Sequence, residues 1–436
     1  MSKTLLCAHR QFMVWVIVGQ HNLNTLLFTF YYSHTADKQG LYVNSMRIGI
    51  DATCWANPRG YGRFTRHMLT ALLEQDQVNE YVFFIDSFMA EGSEFPGNAG
   101  RRVVELSASP TQAASAEGRR SIGDMLKMGR AVAREPLDVF FYPSVYTYFP
   151  VFSRVKKIVA IHDVIAEKYP ELIFSNRKSQ FFWDLKTRLA IWQSDLVLTV
   201  SEFSKKGIVD HFALDPQHVA VVSEGSADAF YPLDDTRAIN EVMSRHDMVP
   251  DTRFILYVGG IAPHKNLAVL VEAFDRLVAE GRYDDVRLVL VGDYENDVFL
   301  IDDAIKARMK DPTFRKRVIS TGYIPDDDLN ALYNAATVFV LPSFCEGFGL
   351  PALEAMSCGT VVIGSDTTSI PEVVGEAGLF FDPDNASQLA VHLRTVLGDA
   401  VLREELQQRS LQRAATFSWK RSAEDTLGVL SLLDAS

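Results

Sequence analysis

From Met46 onward, short runs of β-branched, aliphatic and aromatic residues alternate with longer stretches in which apolar residues return every three or four positions. The runs predict strands at Met46–Ala52, Tyr81–Ile85, Asp138–Tyr142, Ile158–Ile161, Leu196–Val200 and Val219–Val222. A second series predicts strands at Phe254–Val258, Arg287–Val291, Val318–Thr321, Thr337–Leu341 and Val361–Gly364. Helical spacing falls between them, at Phe64–Leu73, Ser121–Arg134, Asn176–Trp192 and Glu202–Phe212, and again in an amphipathic final stretch, Lys420–Leu433, with Trp419 as an anchor ahead of it. Such alternation predicts an α/β fold with parallel sheets covered by helices. Pro232, Asp234, Asp235 and Pro250 mark residues 230–250 as an interdomain linker. The prediction is two doubly wound, Rossmann-like domains, residues 46–235 and 250–416, facing a central cleft, with residues 417–436 as a closing helix.

Residues 1–45 do not share this pattern. The apolar runs Phe12–Val18 and Leu26–Phe30 are divided by Gln20-His21-Asn22, and neither reaches the ~18–20 residues that span a bilayer. The expectation is that the working protein starts at Met46 and that residues 1–45 are a non-native or disordered extension. Composition narrows the classes further. Lys and Arg number 43 against 55 Asp and Glu, a net charge of −12, which argues against nucleic-acid binding. Met46–Asn240 carries 22 basic and 24 acidic residues, and Glu241–Ser436 carries 18 and 30, so the acidity is concentrated in the second half. Cys7, Cys54, Cys345 and Cys358 lack metal-ligand spacing or a disulfide framework, which suggests a reducing, cytoplasmic setting.

The candidate chemistry centres on Ser343–Gly359, where a buried strand runs through a glycine loop into a short helix. Pro351 suits a first helical turn, and Gly359 suits the far end. Gly347 and Gly349 let the backbone turn sharply and bring N–H groups, those around Gly349 and Leu350, toward an anion at the positive end of the helix dipole. Glu346 and Glu354 flank that place. Two carboxylates beside a diphosphate site make sense if they accept sugar hydroxyls, so a nucleotide sugar is the indicated ligand. Alternatively, Glu354 complements the helix dipole, worth roughly 0.3–1 kcal/mol.

A second strand, glycine turn and helix start lies at Tyr257–Asn266. Lys265 is poorly placed beside a helix N-terminus unless an anion is bound there, so it is assigned to the diphosphate. His162-Asp163 ends the strand Ile158–Ile161, at the carboxyl edge where open α/β sheets bind ligands; Asp163 either orients the histidine ring or caps the next helix. Gly60-x-Gly62 is a weak dinucleotide signal on its own. Ser201 reads as a helix N-cap, and Asp326-Asp327-Asp328 as helix capping rather than a metal site. No catalytic metal and no cofactor are expected; loss of activity on chelation, restored by manganese, would overturn this. Arg120, Lys127, Arg130 and Arg134 form a basic stripe that reads either as a solvated helix face or as a peripheral contact with an anionic membrane.

The nine-residue pattern Glu346–Glu354 resembles the paired-glutamate motif of family-4 retaining glycosyltransferases of the GT-B fold, and the similarity runs over nearly all of Met46–Ser436. It is strongest in Phe254–Asn266 and Thr321–Pro383, which includes Ser369-Ile370-Pro371-Glu372-Val373. The resemblance implies a terminal helix that crosses back to the first domain and a metal-independent hexosyltransferase acting on a UDP- or GDP-linked donor. It implies a glycan or lipid-linked acceptor, as in surface polysaccharide synthesis, and the Gly259-Gly260 turn is similar to that of mannosyltransferases. By the same resemblance Lys265, Glu346 and His162 are catalytic, with His162 by the donor sugar. Gly60 and Gly62 belong to a flexible loop near the donor, Ser201 faces the cleft, and Tyr323 and Ile324 line the base pocket. Gly259, Gly260, His264, Gly347, Phe348, Gly349, Leu350 and Glu354 complete the donor site. Where the family often carries an arginine after the first glycine, this chain has Gly260. An epimerase of the same two-domain form, or a non-catalytic sugar-nucleotide-binding protein, are the rival readings.

Overall fold

The computed structural model describes residues 45–57, 60–89, 95–96, 99–110, 121–250, 252–260, 262–292, 305 and 308–434. The expected extension therefore lies outside the described residues apart from Ser45, as do Pro58, Arg59 and Arg120. Among the described residues the strands form two sheets, both wholly parallel. The first has the order β3-β2-β1-β4-β5-β6-β7, with β1 Arg47–Asp51, β2 Glu80–Asp86, β3 Gly100–Val104, β4 Val139–Tyr142, β5 Lys156–Ala160, β6 Leu196–Thr199 and β7 Val219–Val221. The second has the order β10-β9-β8-β11-β12-β13, with β8 Phe254–Val258, β9 Arg287–Val291, β10 Val318–Gly322, β11 Val338–Leu341, β12 Val362–Ser365 and β13 Gly378–Phe381.

Central strands such as Val139–Tyr142 and Val338–Leu341 are buried along their whole length, as parallel strands covered on both faces must be. The predicted strands are all present. Two edge strands had no signal: β3 is Gly-Arg-Arg-Val-Val and mostly exposed, and β13 is four residues starting at glycine. An edge needs only one partner and no two-sided apolar run. The helices used below are α1 Gly60–Gln75, α2 Ile122–Arg134, α3 Arg177–Gln193, α4 Glu202–Phe212, α5 Thr236–Arg245, α6 Asp326–Ala335, α7 Leu350–Ser357 and α8 Trp419–Asp434.

The stretch expected to be a plain linker contains α5. The Asp235 side chain accepts hydrogen bonds from the amides of Arg237 and Ala238, and Val242 and Met243 are buried, so a capped amphipathic helix replaces extended chain. Its approach is tied to the second domain, because the Asn330 and Asn334 side chains accept from the amides of Tyr231 and Leu233.

The last helix, α8, lies on α1 of the first domain. The Trp419 ring stacks on His67 at 5.5 Å and meets Phe64 edge-on at 5.8 Å, and the Gln75 side-chain amide donates to the Lys420 carbonyl at 2.8 Å. Gly225 lets the chain come this close, since a Cβ there would stand 2.3 Å from the Trp419 nitrogen. Burial, and then Arg63 and Arg66, push the His67 pKa down to about 4, so the stacked ring is neutral. Trp419→Ala should therefore lower unfolding free energy by about 3–5 kcal/mol in a urea titration; a loss below about 1 kcal/mol would show that α8 is not held by this contact.

Candidate functional site

The carboxyl edges of the two sheets supply the site. In the second domain, β11 leads through Ser343–Phe348 to Gly349, which caps α7 with φ 106°, a conformation suited to glycine. Pro351 lies in the first turn, and Gly359, φ 76°, ends the helix. Glu346 is buried in this loop. Its carboxylate accepts from the Ser343 hydroxyl at 2.6 Å and from the Lys265 ammonium at 2.8 and 2.9 Å. Lys265, expected at a diphosphate, is thus paired with the neighbouring acid. Its turn is fastened to the glutamate loop, because the His264 carbonyl accepts from the Phe344 amide at 2.8 Å and the Asn266 side chain donates to Pro342 and Pro383. His264 is held neutral, pushed down to about 4 by burial and then by Lys265. Gly259, φ 154°, turns the chain out of β8, and the Gly260 carbonyl accepts from the Tyr257 hydroxyl.

His162 faces this loop from the end of β5. Asp163 does not hold its ring; that carboxylate accepts from the Ile165 amide at 2.9 Å and caps the turn that follows. The group beside the ring is Glu224, whose Oε1 lies 3.7 Å from Nδ1, while Nε2 is 3.0 Å from the Pro143 carbonyl. Burial opposes a charge on His162, yet Glu224 and the carbonyl outweigh it, so its pKa is raised. Burial likewise raises Glu224. Sequence reasoning missed Glu224. Its only signal is a carboxylate just past β7, at a sheet edge where a plain loop needs none.

The domains meet at Gly347. A Cβ there would lie 2.9 Å from the His162 carbonyl oxygen and 3.1 Å from Asp163, so glycine is required by this close approach. Its carbonyl accepts from the hydroxyls of Ser201, 2.7 Å, and Ser204, 3.0 Å. Ser201 also caps α4, and the Glu372 carboxylate accepts from the amides of Glu202 and Phe203. The α4 N-terminus is therefore docked on two segments of the second domain.

Glu354 is also buried, and its countercharge crosses the cleft. Arg63, on α1, places Nη2 3.0 Å from Glu354 Oε1 and reaches Asp326 at 3.2 and 3.3 Å, while the Tyr333 hydroxyl donates to Glu354 Oε2 at 3.1 Å. Burial pushes Glu354 up to about 7 against the pull of Arg63. Arg63 had no assigned role, although it directly follows the Gly60-x-Gly62 motif. That motif is also placed differently: Gly60 and Gly62 are not loop residues but open α1, and Gly62 is needed because a Cβ would stand 2.0 Å from the Asn57 carbonyl oxygen.

Tyr323 is 77 % exposed and free to meet a ligand, but Ile324 is packed in the core, as is Phe348, which contacts Phe417 edge-on. Leu350 opens α7 half-buried. Asp326 lies in the first turn of α6, and Asp328 binds Arg245 and His246 at 2.7 and 2.9 Å. Cys345 is buried and its thiol pushed up to about 12 by burial, which makes it a poor nucleophile. The arrangement joins a cation, two buried carboxylates, a histidine and a helix start without a side-chain cap along one cleft. That set can bind an anion and polyhydroxyl groups side by side.

The profile of the glycosyl transferases group 1 matches residues 239–413, and that of glycosyltransferase family 4 matches residues 58–226. The O-antigen chain mannosyltransferase B of Escherichia coli is 32% identical over 278 residues, 64% of this chain and 71% of that protein. The serotype-specific mannosyltransferase WbdA of Escherichia coli is 29% identical over 283 residues, 64% of this chain but only 34% of that longer protein. The structure of HepE from Anabaena, solved with UDP and glucose, superposes with a TM-score of 0.66 at 15% identity, covering 89% of this chain and 100% of that one. Such a likeness shows the GT-B fold. The chain belongs to the group 1, family 4 glycosyltransferases.

Proposed function

We propose that this glycosyltransferase moves a hexose, with retention of anomeric configuration and without a catalytic metal, from a UDP- or GDP-linked donor to a glycan or lipid-linked acceptor in surface polysaccharide synthesis. The observation that carries the reading is the Lys265–Glu346 pair beside the Gly349-capped helix, opposite His162. The names of the mannosyltransferase relatives support a mannosyl donor, and the UDP in HepE supports a nucleotide at this cleft.

A donor diphosphate would take the amides of Gly349 and Leu350 and draw Lys265 from Glu346. The carboxylate so released accepts hydroxyls of the sugar, which His162 faces from the other side. Glu354 then accepts the ribose hydroxyls. As the bond from the anomeric carbon to the diphosphate oxygen breaks, Lys265 and the helix start stabilise the charge left on that oxygen. The acceptor hydroxyl attacks from the same face, and its proton passes to the leaving diphosphate. The Ser201, Ser204 and Glu372 contacts hold the two domains close, which limits water at the reacting carbon. Proton NMR of product formed in EDTA tests the reading: the new linkage should carry the donor's anomeric configuration, and an inverted product, or one that requires added manganese, would refute it.

The pH dependence follows from Glu354. Its pKa of about 7 exceeds the ordinary glutamate value, so it is largely protonated at pH 6 and ionised at pH 8. An ionised carboxylate is the stronger acceptor for ribose hydroxyls, so donor affinity should rise about tenfold between pH 6 and pH 8. Titration calorimetry with the bound UDP- or GDP-sugar should show that rise in the wild type and a flat profile in Glu354→Gln. An equal slope in both would remove Glu354 from the ribose site.

A further inference from the structure

We propose that the outward face of α3, with the neighbouring loop at Phe152, docks on an anionic phospholipid bilayer. The inner side of α3 is ordinary: Trp183, Thr187 and Ala190 are buried, and the Trp183 indole donates to Glu167. A surface helix should then turn polar residues outward. This one presents Phe181, 62 % exposed, Phe182, 55 %, Leu185, 53 %, and Trp192, 76 %. The spacing of positions 181, 185 and 192, with Arg188 between, runs along one side of the helix. Val151 donates its amide to the Gln193 side chain at 3.1 Å, which sets Phe152, 72 % exposed, at the end of the same stripe.

The charge on this face identifies the occupant. The chain as a whole is at −12, yet α3 carries the exposed cations Arg177, Lys178 and Arg188 against the single acid Asp184. Exposed phenylalanine and tryptophan flanked by lysine and arginine match the interfacial region of an anionic membrane, where rings enter the acyl boundary and cations meet headgroups. A second copy of the chain would oppose like charges across a two-fold interface.

The position suits the cleft. Lys186 donates to the carbonyl of Tyr146, whose ring stacks on Tyr61 of α1 at 4.8 Å, so α3 is tied to the helix that bears Arg63. A lipid-linked acceptor lying in the bilayer would be presented to the rim of the site, but the docking surface itself does not depend on which acceptor is used. The basic stripe expected on α2 is a weaker candidate, since Lys127 is engaged by Asp124 and by the Glu105 carbonyl.

Flotation of the full chain, without donor or acceptor, tests this. With vesicles of phosphatidylcholine and phosphatidylglycerol the protein should float, and with phosphatidylcholine alone it should stay in the dense fraction. Phe181→Ser/Phe182→Ser/Trp192→Ser should lower vesicle binding by about tenfold or more, and Lys178→Glu/Arg188→Glu by about tenfold. Both should melt within a few degrees of the wild type, and Lys127→Glu/Arg130→Glu/Arg134→Glu should bind as the wild type does. Absence of flotation, equal binding to neutral vesicles, loss only in the α2 variant, or a dimer that the aromatic variant converts to monomer would each overturn the proposal. Because no turnover is measured, such a failure leaves the assignment of the cleft untouched.

Discussion

A carboxylate taken out of water must be met by a cation or by hydrogen-bond donors, or it will bind a proton instead. This chain buries two carboxylates, one in the loop after β11 and one within α7, and meets each differently. Glu346 is answered from its own domain, by Lys265 and Ser343. Glu354 is answered from the other domain, by Arg63, with Tyr333 beside it. The second arrangement makes the cleft part of the electrostatics: Arg63 carries its charge across the gap, so separating the domains would leave Glu354 with less to balance it.

The rest of the interface is consistent with that demand. Gly347 has no side chain because the His162 carbonyl and Asp163 occupy the space. The start of α4 gives its hydroxyls to the Gly347 carbonyl and its amides to Glu372. The terminal helix then returns to α1, the helix that bears Arg63, and stacks Trp419 against it. Backbone shape, capping and aromatic packing therefore all join the two domains around this ion pair.

Much of this was legible in the sequence because it rests on short-range pattern. Strands buried on two faces produce unbroken apolar runs, and the loop between β11 and α7 declares itself through Gly347, Gly349 and Pro351. What was not legible depends on residues far apart in the chain. Arg63 and Glu354 are neighbours only once two domains are folded and apposed. Glu224 becomes a partner of His162 only because β5, β6 and β7 lie side by side. Asp163, adjacent to His162 in sequence, could have oriented the ring or capped the next turn, and its carboxylate takes the second of these roles. The helix at Thr236–Arg245 was hidden by the prolines and acids around it, although Asp235 proved to be its cap.

The central claim is that the diphosphate of a nucleotide sugar occupies the start of α7 and displaces Lys265 from Glu346. A crystal structure with a non-hydrolysable UDP- or GDP-sugar tests it most directly. The account predicts phosphate oxygens on the Gly349 and Leu350 amides, the Lys265 ammonium on phosphate, and the Glu346 carboxylate on the sugar. A nucleotide bound elsewhere, or one bound here with the Lys265–Glu346 pair intact, would contradict it.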